Sequence, residues 1–309
     1  MTIDELNAIV ESGDIDEFIR VCEARQCKVL SKIADRITAT KGVRLVLLTG
    51  GSSAGKTTTA KRLCTQLRVN GVPAAMHIST DDYFVGNSRN PRDENGEFDY
   101  ETIEAVDRAR LVRDLGALLG GEAVNLRRFD FVAHEGFDAP APTRLPAGGV
   151  VVLEGLHALN PLLVEGLPAE CGFRLYIEPK TQLEIFATTR ISQRDARLVR
   201  RLVRDHQFRK MEPGATFEMW PKVLAGEKKW IEPFRRLADA EFDSALEYEL
   251  AVLKPYVAGL LARVLLKDPH ETRAQMLAML FEAIVATDPL KVPGDSILRE
   301  TIGGSQLEY

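Results

Sequence analysis

Gly50-x-x-x-x-Gly55-Lys56-Thr57 follows directly on the apolar run Leu45-Val46-Leu47-Leu48 and precedes a helix-forming stretch. These residue types at this spacing can hold a polyphosphate. Glycines let successive backbone N–H groups turn inward as an anion nest. Gly50, Ser52, Ser53, Ala54 and Gly55 would form that nest, with Thr58 joining the same set. The helix that begins near Gly55 would add the positive end of its dipole. The Lys56 ammonium would reach the β- and γ-phosphates, and the Thr57 hydroxyl would ligate Mg²⁺. A nucleoside triphosphate with Mg²⁺ is therefore the expected ligand: ATP first, GTP as the alternative.

Three further constellations carry chemistry. Ser79-Thr80-Asp81-Asp82-Tyr83-Phe84 ends a second apolar run. The C-terminal end of a strand in an open α/β sheet faces the ligand crevice. A carboxylate there can touch Mg²⁺ and orient or deprotonate an acceptor hydroxyl. Capping a helix is the plainer use of such acids, and it fits Asp82 better than Asp81. Val151-Val152-Leu153-Glu154 is an apolar strand that ends in an acid, so Thr57, Asp81 and Glu154 form the expected metal set. Arg190, Arg194, Arg197, Arg201 and Arg204 recur at steps of 4, 3, 4 and 3, which places them on one helical face. With few acids nearby, the stripe reads as a phosphate-clamping lid, with Arg197, Arg201 and Arg204 on the transferring group. Phe129-Asp130-Phe131-Val132-Ala133-His134 could frame a planar ring, and reads equally as a strand with two core phenylalanines.

The elements that must position these residues can be sketched from pattern. Helices are expected over 3–38, 56–69 and 101–119, and from Thr181 to about Ala286. Strands are expected at 43–48, 72–79, 150–153 and 173–177, with a short one within 124–131 and a loop or hairpin over 136–149. The tail from Asp288 should be irregular and folded back on the core. Strands alternating with helices around this loop imply an α/β fold of three layers with a mostly parallel sheet. The expected division is a helical N-terminal appendage at 1–40, a core at 41–270 with the lid at about 190–230, and a C-terminal helix and tail at 271–309. The appendage would serve packing or a homo-oligomer. The 309 residues carry a net charge of −5, so no general nucleic-acid surface is expected. No apolar run reaches membrane-spanning length and no signal peptide begins the sequence, so a cytoplasmic protein is expected. Cys22, Cys27, Cys64 and Cys171 lack zinc-site spacing and read as free thiols.

Together these residues resemble the uridine kinase/phosphoribulokinase family of P-loop kinases over nearly the whole chain. The resemblance implies a P-loop kinase fold and makes Asp81 the catalytic base, with Tyr83 beside it on the substrate side. It places Phe98-Asp99 at the ribose hydroxyls, Asp99 binding them, and it makes Phe129, Phe131 and His134 base-binding. It also makes Arg197 to Asp205 part of the lid, with Arg194 toward the nucleotide and Arg190 toward the substrate. Pro91-Arg92-Asp93-Glu94-Asn95-Gly96, the stretch from Ala245 to Lys254, and Ser296 to Ser305 are similar to a bacterial subgroup of uridine kinase-like nucleoside kinases. Many of those carry an N-terminal domain resembling part of threonyl-tRNA synthetase, and this sequence begins near the helical segment that precedes the kinase. Uridine–cytidine kinases have Tyr where this chain has Phe129, so a phenol is missing. Either Arg127 and Arg128 replace it or the acceptor is not a pyrimidine nucleoside. The implied activity is ATP-dependent phosphorylation of a small hydroxyl compound, a nucleoside first. The rivals are a sugar or polyol kinase, a nucleotide switch without the guanine-reading motif, and an RNA-associated ATPase.

Overall fold

The computed structural model describes residues 1–131, 133–180, 184–186, 189–268 and 271–308. Its centre is a sheet of five parallel strands: β1 (Leu45–Thr49), β2 (Ala75–Ser79), β3 (Val150–Glu154), β4 (Gly172–Glu178) and β5 (Ala240–Asp243). Their order is β5-β4-β1-β3-β2. Every residue of β1 and β3 is buried, as continuous Val/Leu runs must be when both faces of a parallel sheet are covered. From β1 the chain passes over β3 to β2, and later returns to build β4 on the other side of β1. That reversal opens a crevice at the C-terminal ends of the strands. Register decides what meets there. Leu48 and Ser79 both lie opposite Glu154, so β1, β2 and β3 end at one rim.

Strand alternation divides the core. Val46, Leu48, Val150 and Val152 face the helices α2 (Ile15–Ala39) and α3 (Lys56–Val69), against Leu30, Ile33, Leu63 and Leu67. Leu45, Leu47, Val151 and Leu153 face α4 (Arg108–Leu119), against Leu111, Leu115 and Leu118. A third core is mainly helical. It joins α1 (Ile3–Ser12) and the start of α2 to α5 (Gln193–Arg209), α6 (Pro213–Trp230), α7 (Glu249–Lys267) and α8 (Thr272–Glu282). The N-terminal helices are thus built into two cores rather than standing off from them. The tail ends in a short helix, α9 (Arg299–Ile302), packed on α5.

Local departures from the sequence reading have local causes. Asp107 accepts a hydrogen bond from the Arg110 amide at 3.1 Å, so α4 begins at Arg108 and a short 3-10 turn at Ile103–Ala105 precedes it. Arg127–Asp130 and Glu135–Asp138 form an antiparallel hairpin, closed where the Asp130 carboxylate accepts from the Ala133 amide. Helix was expected from Thr181. Instead Glu184–Phe186 and Thr189–Arg190 pair as short strands, and Ser192 caps α5 by accepting from the Asp195 amide at 3.0 Å. Arg190 therefore lies before the helix, off the arginine face, and its side chain falls outside the described residues. Among the described residues, no helix is long and apolar enough to cross a membrane.

Candidate active site

The loop between β1 and α3 has the backbone that its glycines allow. Gly55 sits at φ +88°, and a Cβ there would lie 2.4 Å from the Ile297 side chain. A Cβ on Gly50 would lie 2.2 Å from the Ile177 carbonyl oxygen. Ser53 takes φ +58° without being glycine, a strained conformation of the kind found where backbone amides are turned toward a ligand. Its buried hydroxyl has no partner among the described residues. Ala54 is fully buried, and its amide donates to the Gly51 carbonyl. Lys56 Nζ folds back to donate to the Gly51 carbonyl at 3.1 Å. Thr57 Oγ1 donates to Glu154 Oε1 at 3.1 Å. Thr58 Oγ1 donates to Glu300 of α9 at 3.2 Å, so the tail reaches the loop.

Asp81 enters from the end of β2, its amide capped by the Ser79 hydroxyl at 3.3 Å. Burial and the nearby Glu154 push its carboxyl up to about 6, against the pull of Lys56 and Arg209. Burial also pulls the Glu154 carboxyl up, but His77 and Lys56 outweigh it and hold Glu154 below its ordinary value. A hydroxyl and two carboxylates that act on one another are oxygen donors suited to Mg²⁺, which takes its remaining ligands from phosphates and water. These side chains fit the role given to Thr57, Asp81 and Glu154. Asp82 is placed differently. It accepts from Arg128 at 2.8 Å and from the Phe129 amide at 3.4 Å, so it pins the hairpin.

The arginines do not act as one set. Arg197 makes a two-pronged pair with Glu227 of α6, at 2.5 and 2.8 Å, and also donates to the Ser52 carbonyl at 3.2 Å. Arg201 donates to Ser52 Oγ at 2.8 Å. Arg201, Arg204 and Arg209 surround the fully buried Asp205 at 3.0, 3.0 and 3.3 Å. Arg194 lies apart, largely exposed, 3.5 Å from Glu232. The acids that seemed missing from the stripe are supplied by other segments and by one shared aspartate. On its opposite face α5 buries Leu198, Val199, Leu202 and Val203 completely, so the helix is anchored in the core.

Next to the turn that carries Asp81 and Asp82, the loop before α4 and the hairpin bring aromatic rings together. Phe84 contacts Tyr100, Phe129 and Phe131 edge to face at 5.9, 5.7 and 6.5 Å. Phe129 is buried in this cluster, whereas Phe131 and His134 are exposed. His134 adopts φ +55°. Asp99 accepts from the Glu101 amide at 3.0 Å and stays partly exposed. Tyr83, expected on the substrate side, is fully buried and donates to Asp114 of α4 at 3.2 Å; it ends the 3-10 turn of Thr80–Tyr83 and packs in the core against α4. Residues to which the motifs assigned no role also line the region: Phe84, Tyr100, Glu101 and Glu227. Burial pushes the Glu101 carboxyl up to about 7, with Arg201 opposing and Glu227 adding to the rise. No local signal marked Glu227, which lies 175 residues from its P-loop partner.

A profile of the phosphoribulokinase/uridine kinase family matches residues 45–251, from β1 into the start of α7. The chain belongs to that family. It is 31% identical over 191 residues to a uridine kinase of Deinococcus deserti, covering 62% of this chain and 82% of the relative. It is 27% identical over 213 residues to a uridine kinase of Chloroflexus aurantiacus, covering 67% and 90%. A solved structure described as a possible uridine kinase from Bacillus stearothermophilus is 18% identical, covers 72% of this chain and all of its own, and superposes with a TM-score of 0.48. As a member of a kinase family, the protein is a phosphotransferase that uses a nucleotide, and the matched span includes the loop from Gly50 to Thr57, Asp81, Glu154 and the arginines of α5.

Proposed function

We propose that the protein transfers the γ-phosphoryl group of ATP to the 5′-hydroxyl of a nucleoside, uridine or cytidine first. The observation that carries this reading is the position of Asp81. Glu154 and Lys56, both assigned here to the nucleotide site, act on its carboxyl, and its neighbour Asp82 ties down the hairpin. An acceptor hydroxyl brought between these groups would meet a carboxylate able to orient it and take its proton. The loop amides, Lys56, Arg197 and Arg201 would hold the phosphates, and Thr57, Asp81 and Glu154 would hold Mg²⁺, which neutralises phosphate charge when bound. Asp99 offers a carboxylate that can accept from two vicinal hydroxyls, which favours ribose over deoxyribose. Phe131 and His134 are the exposed groups that a base could meet.

A second reading, a kinase of a sugar or polyol, is favoured by Phe129. It is buried and lacks a hydroxyl, so it offers a base no hydrogen bond. Steady-state kinetics with Mg·ATP across uridine, cytidine, their 2′-deoxy forms, free sugars and polyols separates the two, with ADP release and product mass followed together. Uridine or cytidine should be phosphorylated, and their deoxy forms more slowly. Efficient turnover of a sugar or polyol with no turnover of any nucleoside would replace the first reading by the second.

A further inference from the structure

One backbone amide of the P-loop already holds an anion. Glu227 Oε1 accepts a hydrogen bond from the Ser52 amide at 2.8 Å, and both of its oxygens pair with Arg197. The carboxylate comes so close to the loop that a Cβ on Gly51 would lie 2.6 Å from Glu227 Oε1 and 2.0 Å from Arg197. Only 7% of the Glu227 side chain and 8% of the Arg197 side chain are exposed. A loop amide and a guanidinium together recognise a phosphate oxygen, and a carboxylate satisfies the same two donors. A polyphosphate that takes them must remove Glu227, since two anions sharing one partly desolvated site repel.

Glu227 is also mechanically connected. Its helix α6 donates from Lys222 to Asp93 at 2.6 Å and to the Phe98 carbonyl at 3.3 Å. Gly226 lies so close to Glu101 that a Cβ there would sit 2.6 Å from the Glu101 Cβ. The loop of residues 93–101, which carries Asp99, thus rests on the helix that carries Glu227.

We propose that Glu227 is a positioning residue that competes with the nucleotide's phosphates. It holds the P-loop amide and Arg197 until a polyphosphate displaces it, and its displacement loosens α6 against the acceptor loop. This rests on reading the P-loop as the nucleotide site, and it does not depend on which acceptor is used.

The test is equilibrium binding of pyrophosphate and of Mg·ADP, without acceptor, to the full chain and to Glu227→Gln and Glu227→Ala. Removing the competing charge should lower Kd by about tenfold, while the ligand-free melting temperature falls because Arg197 loses its partner. Removing a residue that merely braces Arg197 would also lower the melting temperature but would leave binding unchanged or weaken it, so unchanged or weaker binding in the variants overturns the proposal. Hydrogen exchange on the unmodified protein gives a second readout, independent of whether the variants fold. Pyrophosphate should speed exchange in 213–230 and 93–101, and equal or slower exchange there would also overturn the proposal. Failure of the kinase reading looks different. A protein that binds polyphosphate but phosphorylates no acceptor leaves the competition in place, whereas one that binds no polyphosphate, with Glu227 or without it, removes both.

Discussion

At the scale of single residues, adjacent carboxylates have been given different tasks by their surroundings. Asp81 is held among Glu154, Lys56 and Arg209, which tune its charge. Asp82 is one residue further along a 3-10 turn, which rotates it toward Arg128 and the hairpin backbone. The two should separate kinetically. Asp81→Asn keeps shape and loses the charge proposed to orient the acceptor, so kcat should fall by about a hundredfold to ten-thousandfold, far more than nucleotide affinity weakens. Asp82→Asn should leave most of kcat and raise the acceptor KM, because the hairpin loses its ionic tie. If the kinetic losses are exchanged between the two variants, Asp82 is the base. The sequence showed both acids at a strand end and ranked Asp81 above Asp82. It could not show the Arg128 pair, which joins residues 46 apart in sequence.

At the scale of elements, the regular parts were legible and the irregular ones were not. β1, α3 and β3 follow from uninterrupted apolar runs and a glycine-lysine-threonine start, which are local properties. The strand pairs at Glu184–Phe186 and Arg127–Asp138 are short and settled by partners, so periodicity could not find them. The arginine face of α5 is the instructive case. Its spacing was visible and its neutralisation was not, because Glu227 and Glu232 come from segments beyond the helix. What remains locally is Asp205, one buried carboxylate among three guanidiniums. Asp205→Asn would leave that cluster with uncompensated positive charge, which should cost about 3 kcal/mol of ligand-free stability. Bound anion should return part of it, so pyrophosphate should raise the melting temperature more in the variant than in the parent. An unchanged ligand-free melt would show that solvent already screens these arginines and that Asp205 does not organise them.

At the scale of the whole molecule, the C-terminal tail ties the loop between β1 and α3 to the rest of the chain. The sequence suggested only that residues after Asp288 fold back, since a stretch with proline and glycine has no periodicity to read. The structure gives the tail a position that depends on distant residues. Ile297 is 2% exposed in the core shared by α2, α3 and the sheet, and it fills the space that the missing Cβ of Gly55 leaves. Glu300 then accepts from Thr58 at the start of α3. A residue in this position should support two properties together: global stability, through buried area, and anion binding, through the shape of the loop. Ile297→Ala should cost about 2–4 kcal/mol of stability, as large-to-small changes in a packed core do, and should also weaken pyrophosphate binding. Ile33→Ala provides the comparison. Ile33 is equally enclosed, at 4% exposure, in the same core, but it lies on α2 rather than against Gly55. It should lose similar stability while binding pyrophosphate as the parent does. Equal affinity in both variants, measured where each remains folded, would mean that the tail supports the core without shaping the loop.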